Sequence, residues 1–401
     1  MRVGFVAPLA LTNAAGLSGT PHHIWKALQD AGVEVLDLSS IPPPAAAGSP
    51  SHAPPSALRR LARRARGVRR KVEATLHRPW DYDRTLAEAR ERSAQVQAAV
   101  DEAEDIDLLL GACISTPFFE LKTDLPIVYI SDTTAHLMNT SYDDYRSRSS
   151  GYHRACDEIE RTVLHRCSCF AVTSACTAHS AIDHYGLPPE RVRIVEFGAH
   201  VVPDYMPIDP TPPTREHLEL VLVAADPKRK RLPLCIDVVK ELRARGWNAT
   251  LNFVGAHHPA LDSEETVAWA GRLDLRDSAD REKHKEILRR SHWMLLPSTA
   301  EAFGIAPCEA AHFGRPSIVT DVGGLPTVVQ NGKTGVVLPV DAPPEAYADA
   351  IESISKVPGK YADMSEAALD RSHTVLSWPM WAERMKSIFQ EAIAGDRHVH
   401  T

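Results

Sequence analysis

Two carboxylates bracket a glycine in the run PSTAEAFGIAPCEAAHFGRP: Glu301 and Glu309, with seven residues between them. The apolar run ending in LLPS at 295–298 reads as the end of a buried strand, and 305–313 has helical spacing. Gly304 therefore marks a strand-to-helix turn, with Phe303 and Ile305 on either side. Peptide N–H groups of a first helical turn have no partner inside the helix and suit an incoming anion. Glu301 falls in the loop and Glu309 about one turn inside the helix, so two acceptors can grip different hydroxyls of one polyhydroxylated ligand. A sugar diphosphate fits that arrangement.

The elements that must position these residues are legible as alternating short apolar runs and helical stretches, the pattern of an α/β chain with doubly wound sheets. Strands are predicted at 3–8, 33–38, 107–112, 127–131, 169–173 and 192–195, then at 219–224, 250–254, 293–297, 317–320 and 335–338. Between the two series lies the proline-rich segment VVPDYMPIDPTPPTR at 201–215, a poor helix or central strand and hence the expected linker. At 401 residues the chain exceeds what one core usually serves. The expected division is 1–205, 216–375 and a last helix at 376–395 that carries Trp378 and Trp381 on one face.

Composition excludes several classes. Apolar content of 44% and charged content of 24% describe an ordinary globular chain, and a net charge of −7 argues against a nucleic-acid partner. The seven cysteines are scattered without a CxxC pair, which reads as reduced thiols in the cytoplasm. The opening run VGFVAPLAL is interrupted by Pro8 and reads as a first strand rather than a signal core. No apolar stretch is long enough to span a bilayer.

The donor-side segment resembles the signature of the retaining glycosyltransferases of family 4. In order it carries Glu301, Phe303, Gly304, Glu309, Gly314, Pro316, Ile318, Gly323, Gly324, Val329, Asn331, Gly332 and Gly335. The resemblance implies a GT-B fold, two Rossmann-like domains facing a central cleft. It also implies transfer of a hexosyl unit from a nucleoside diphosphate sugar, UDP- or GDP-linked, to a hydroxyl of a saccharide, lipid-linked or small-molecule acceptor. Glu309 would hold the ribose and Glu301 the transferred sugar. The peptide N–H groups at Phe303, Gly304 and Ile305 would face the diphosphate, and Gly255, Arg272 and Leu273 would lie by the nucleobase. No metal and no other cofactor is expected.

Family 4 enzymes place an arginine and a lysine at the start of the second domain to bind the diphosphate. Here the text is VLVAADPKRKRLPL: Lys230 takes the lysine position with Arg229 beside it, while the arginine position falls on Ala225. The competing reading of this basic run is a solvated loop. Gly16 and Gly19 precede a helix, with Gly19 and Thr20 at its start, where relatives set a glycine-rich loop between acceptor and donor; an ordinary turn is the other reading. After the strand IVYI, relatives carry a histidine. This chain offers Asp132 and Thr134 for the acceptor side, with His136 further along. Asp and Thr are also favoured helix caps.

Residues 56–72, SALRRLARRARGVRRKV, predict a basic amphipathic helix. Three fates are open to it: a peripheral contact with an anionic membrane at its inner face, packing on the first domain, or capture of an acidic acceptor. No Cys/His spacing resembles a zinc motif, and the adjacent pairs His22/His23 and His257/His258 diverge on regular structure. Two other functions remain open: a non-catalytic sugar-nucleotide-binding subunit, favoured by Ala225, and a phosphorylase or epimerase of the same fold.

Overall fold

The computed structural model describes residues 1–8, 19–39, 84–204, 211–262 and 264–399. Segment 56–72, Gly16 and part of the proline-rich linker lie outside the described residues.

The first sheet is built from β1 (Arg2–Val6), β2 (Glu34–Asp37), β3 (Leu108–Ala112), β4 (Ile127–Ser131), β5 (Cys169–Val172) and β6 (Val192–Ile194), in the order β2-β1-β3-β4-β5-β6. All its ladders are parallel. β3, β4 and β5 are buried throughout, as strands covered on both faces must be. The second sheet holds β7 (Leu218–Ala224), β8 (Ala249–Gly255), β9 (Val267–Gly271), β10 (Trp293–Leu296), β11 (Ser317–Thr320) and β12 (Gly335–Leu338), ordered β12-β11-β10-β7-β8-β9. This is the doubly wound order, and the strand order reverses between β7 and β10.

Every strand except β9 lies where the alternating pattern predicts one. β9, VAWAG, is an edge strand with half-exposed or exposed side chains, so it has no apolar run to betray it.

The two domains share apolar packing. Phe197, beyond the first sheet, meets the ring of Phe303 edge-on at 5.8 Å and stacks on Trp378 at 5.5 Å. The last helix, Trp378–Val399, packs along the helix Thr20–Asp30 of the first domain, and Arg384 donates to Glu196 at 2.6 Å. Trp381 is fully buried, so the tryptophan pair serves as an anchor as well as a core element. A side chain at Gly198 would collide with the backbone of Trp378, whose peptide nitrogen would lie 2.4 Å from the added carbon. Among the described residues no helix is long and apolar enough to cross a membrane, and all seven cysteines are free thiols.

Candidate active site

In an open α/β sheet, ligands settle outside the carboxyl ends of the strands at the point where strand order reverses. Here that point lies between the loop after β7, which carries Arg229 and Lys230, and the loop after β10, which carries Glu301. The Asp226 carboxylate accepts from the peptide N–H groups of Lys228 and Arg229, at 3.2 and 3.1 Å, and folds the basic loop back on itself. The N–H of Thr299 donates to the carbonyl of Arg229 at 3.0 Å, which ties the two loops together.

Glu301 is the centre of this arrangement. Its Oε2 accepts from Arg229 Nη1 at 3.0 Å and Ser298 Oγ at 3.2 Å, and Lys230 Nζ lies 3.7 Å away. Burial pushes the Glu301 carboxyl up, but Lys230 and Arg229 together outweigh it and hold the group below the usual carboxylate range. Arg229 is braced on its other side by Tyr142 of the first domain, whose ring centre is 5.6 Å from the guanidinium carbon. Arg229 also meets Asp226, its Nε lying 3.7 Å from Oδ2, so the two cations beside the turn are shared between two carboxylates. The run is therefore not a solvated loop: Arg229 and Lys230 are 23% and 13% exposed.

Gly304 has φ of 114°, a left-handed conformation, and opens the helix Ile305–His312 without a side-chain cap. The peptide N–H groups of Ile305 and Ala306 have no partner within the helix, and Pro307 in the same turn has none to offer. Phe303 is buried behind them. Gly323 is required by contact: its φ is +53°, and an added Cβ would sit 1.7 Å from the carbonyl oxygen of Glu301. Gly323→Ala must push the Glu301 loop aside, whereas Gly332→Ala meets open space and carries only the strain of its φ of +76°, about 1–2 kcal/mol. Thermal melts of the two variants are expected to show a clearly larger loss for Gly323→Ala; equal losses would mean that the loop yields freely.

Glu309 lies one turn into the helix as expected, but it is only 4% exposed. His284, also buried, places its Nε2 3.2 Å from Glu309 Oε2. Arg272 and Leu273 line a cavity of about 780 Å³ together with His22, Lys26, Arg276 and Lys285, while Glu301 lines a separate one of about 330 Å³. Gly19, with φ of 84°, starts the helix Thr20–Asp30 that brings His22 and Lys26 to the larger cavity, and Thr20 is buried. Gly255 is held tight in the sheet: a Cβ there would be 2.0 Å from the carbonyl oxygen of Ala224.

Across the cleft, Asp132 follows β4. Burial raises its carboxyl to about 6, a lift that its own peptide N–H reduces and the charge of Glu301 increases. Its carbonyl oxygen accepts from Thr177 Oγ1 at 2.8 Å. Thr134 departs from the acceptor-side expectation. Its hydroxyl caps the helix Ala135–Ser141 by accepting from Leu137 N–H at 3.2 Å and is paired with Ser180 Oγ at 2.7 Å, fully buried. The capping preference of threonine prevails there. His136 lies in that helix and stacks on His184 at 3.7 Å, lining a further cavity of about 490 Å³ rather than the one at Glu301. Thr133, Tyr142 and Arg146 are among the first-domain residues that share the Glu301 cavity.

Sequence reasoning missed Tyr142, Ser298 and His284. Ser298 carried a signal, its place in the LLPS strand end. Tyr142 and His284 carried none, because their partners lie far along the chain or in the other domain.

Comparison with known proteins agrees with this fold. The family model described as Glycosyltransferase Family 4 matches residues 16–201, and the one described as Glycosyl transferases group 1 matches 218–356. A D-inositol 3-phosphate glycosyltransferase of Corynebacterium glutamicum (strain R) is 26% identical over 290 residues, 68% of this chain and 68% of its own. An alpha-maltose-1-phosphate synthase of Mycolicibacterium smegmatis is 25% identical over 291 residues, 65% of this chain and 73% of its own. A sucrose-phosphate synthase from Thermosynechococcus elongatus has the same fold, with TM-score 0.68 at 15% identity over 98% of this chain and 100% of that one. WaaG, a glycosyltransferase involved in lipopolysaccharide biosynthesis, superposes with TM-score 0.59 at 17% identity, covering 97% and 99% of the two chains. With both domains matched and two parallel sheets of GT-B arrangement, the chain belongs to the group 1 glycosyl transferases, glycosyltransferase family 4.

Proposed function

We propose that this glycosyltransferase moves a hexosyl unit from a UDP- or GDP-sugar to an acceptor hydroxyl with retention of configuration, without a metal at the donor. The observation that carries the reading is Glu301, held by Arg229, Lys230 and Ser298 at the strand-order reversal beside an uncapped helix start.

In this reading the diphosphate docks on the N–H groups at Gly304 and Ile305 and on Arg229 and Lys230. Charge grows on the leaving phosphate as the sugar bond breaks, and fixed cations in a half-buried cleft stabilise that state more than the ground state. Arg229 fills the part of the arginine that Ala225 lacks. Glu301, kept ionised by its cations, accepts from sugar hydroxyls. Glu309, oriented by His284, accepts from the ribose. Asp132 faces the transferred sugar from the first domain, where its charge would favour positive charge at the anomeric carbon. Retention places the acceptor on the face that the phosphate leaves, so a departing phosphate oxygen takes the acceptor proton.

The cavity of about 330 Å³ beside Glu301 and Arg146 suits a small polar acceptor. Polyol or sugar phosphates are the favoured class, in keeping with the names of the curated relatives. About a third of the first relative's length and about a quarter of the second's lie outside the matched part, so substrate identity is part of the proposal.

Release of nucleoside diphosphate from a panel of UDP-, GDP-, ADP- and TDP-sugars, in chelator and with a mixed acceptor pool, tests the reading. Selective release from one donor is expected. Binding without release across the whole panel would favour the non-catalytic subunit instead.

A further inference from the structure

We propose that His136, Asp157 and His184 form a binding site for a divalent transition-metal ion of the zinc type, separate from the donor site. Each residue offers one ligand atom, and these atoms all lie within 4.8 Å of one another; among the described residues this is the one cluster that meets that condition. A tetrahedral ion with ligands at about 2.0–2.1 Å needs donor atoms about 3.3 Å apart. His184 Nε2 and Asp157 Oδ1 are already at 3.6 Å.

The two imidazole rings stack at 3.7 Å with an interplanar angle of 21°. The His184 Nε2 atom is buried and has no hydrogen-bond partner. With Asp157 Oδ1 at 3.6 Å, beyond hydrogen-bond distance, the buried ring nitrogen carries a desolvation cost that a metal bond would offset.

The ligands are held by their surroundings. Tyr185, fully buried, donates its hydroxyl proton to Asp157 Oδ1 at 3.0 Å and accepts from the peptide N–H of His136 at 3.0 Å. One phenol therefore fixes the carboxylate and the helix that carries the first histidine, the kind of outer contact that orients metal ligands. His184 ends the π-helical turn Ser180–His184, and its imidazole meets that of His136. Both histidines also line the cavity of about 490 Å³, where Thr327 and Asp321 of the second domain form the far wall. The remaining coordination positions would open into that cavity, to water or to an oxygen ligand.

The test uses the untagged full chain, freed of metal by chelator. Zn(II) competes with a chromophoric indicator, and Co(II) reports its geometry through visible absorption. One equivalent is expected to bind in the micromolar range or tighter, with the intense Co(II) bands of tetrahedral coordination. His184→Ala and the isosteric Asp157→Asn should each weaken binding at least about tenfold, and Tyr185→Phe up to about tenfold. His257→Ala, which removes a surface histidine paired with Asp262, should leave it unchanged. Absence of micromolar binding overturns the proposal. So does binding that His257→Ala weakens as much as Asp157→Asn, or that Asp157→Asn leaves intact while the variant melts like the parent.

Discussion

Lys230→Ala is expected to lower kcat for sugar transfer by about 10²–10³-fold at saturating donor, the range seen when one preorganised donor to a developing oxyanion is removed. The side chain is only 13% exposed and its Nζ is held by the carbonyl of Val223 at 3.3 Å, so the charge is placed before substrate arrives. Its partner Glu301 keeps a second cation, Arg229 at 3.0 Å, and the fold should survive the change. A melting temperature close to that of the parent is therefore part of the expectation. Loss confined to KM would mean that Lys230 binds donor and transition state alike, and a kcat within about threefold of the parent would remove Lys230 from the leaving-group site. Arg229→Ala differs in a readable way. It strips the hydrogen bond from Glu301 and the cation from the face of Tyr142, so it should cost stability as well as rate.

Asp132→Asn is expected to make the protein more stable and less active. The carboxyl titrates near 3.8 when unfolded and is raised to about 6 in the fold, so the folded state binds its proton more tightly. The neutral form is favoured by burial. Folding therefore bears a cost that is absent below pH 3.8, grows as pH rises from there to about 6, and is constant above. Two pKa units would correspond to roughly 3 kcal/mol, and partial exposure reduces the expected gain on neutralisation to about 1–2 kcal/mol. Melting at pH 7.5 should rise in the asparagine variant, and the difference should vanish toward pH 4. Activity should run the opposite way. If the charge opposite Glu301 supports transfer, kcat/KM of the parent falls as pH drops through about 6, and the variant lacks that acid limb. A destabilised Asp132→Asn, or one that retains the limb, would refute the assignment. A group that costs stability and supports rate is a common feature of working sites.

Much of the fold could be read without coordinates because its signals are local. Buried parallel strands are continuous apolar runs, and turns are marked by glycine and proline. β9 escaped because a half-exposed edge strand has no such run. The spacing of the candidate site was legible for the same reason: Glu301, Gly304 and Glu309 lie on one strand–turn–helix unit, and their separation survives folding unchanged. Arg229 and Lys230 were recognisable as residue types, but their hold on Glu301 depends on β7 and β10 lying side by side, which strand order alone decides.

Thr134 shows the limit from the other direction. Its position after β4 allowed both an acceptor contact and a cap, and the choice was made by Ser180, a residue in a different element. Tyr142 under Arg229, His284 behind Glu309 and the meeting of His136, Asp157 and His184 belong to the same class. Each joins side chains from separate elements, and periodicity in a chain carries no information about which distant faces will meet. The sequence by itself determined most of the element types, the family and the spacing of Glu301, Gly304 and Glu309, since these rest on backbone propensity and on residues close in the chain. Only the tertiary structure decided the partners, the burial and the charge states, because those depend on packing between elements that the chain reaches by long-range closure.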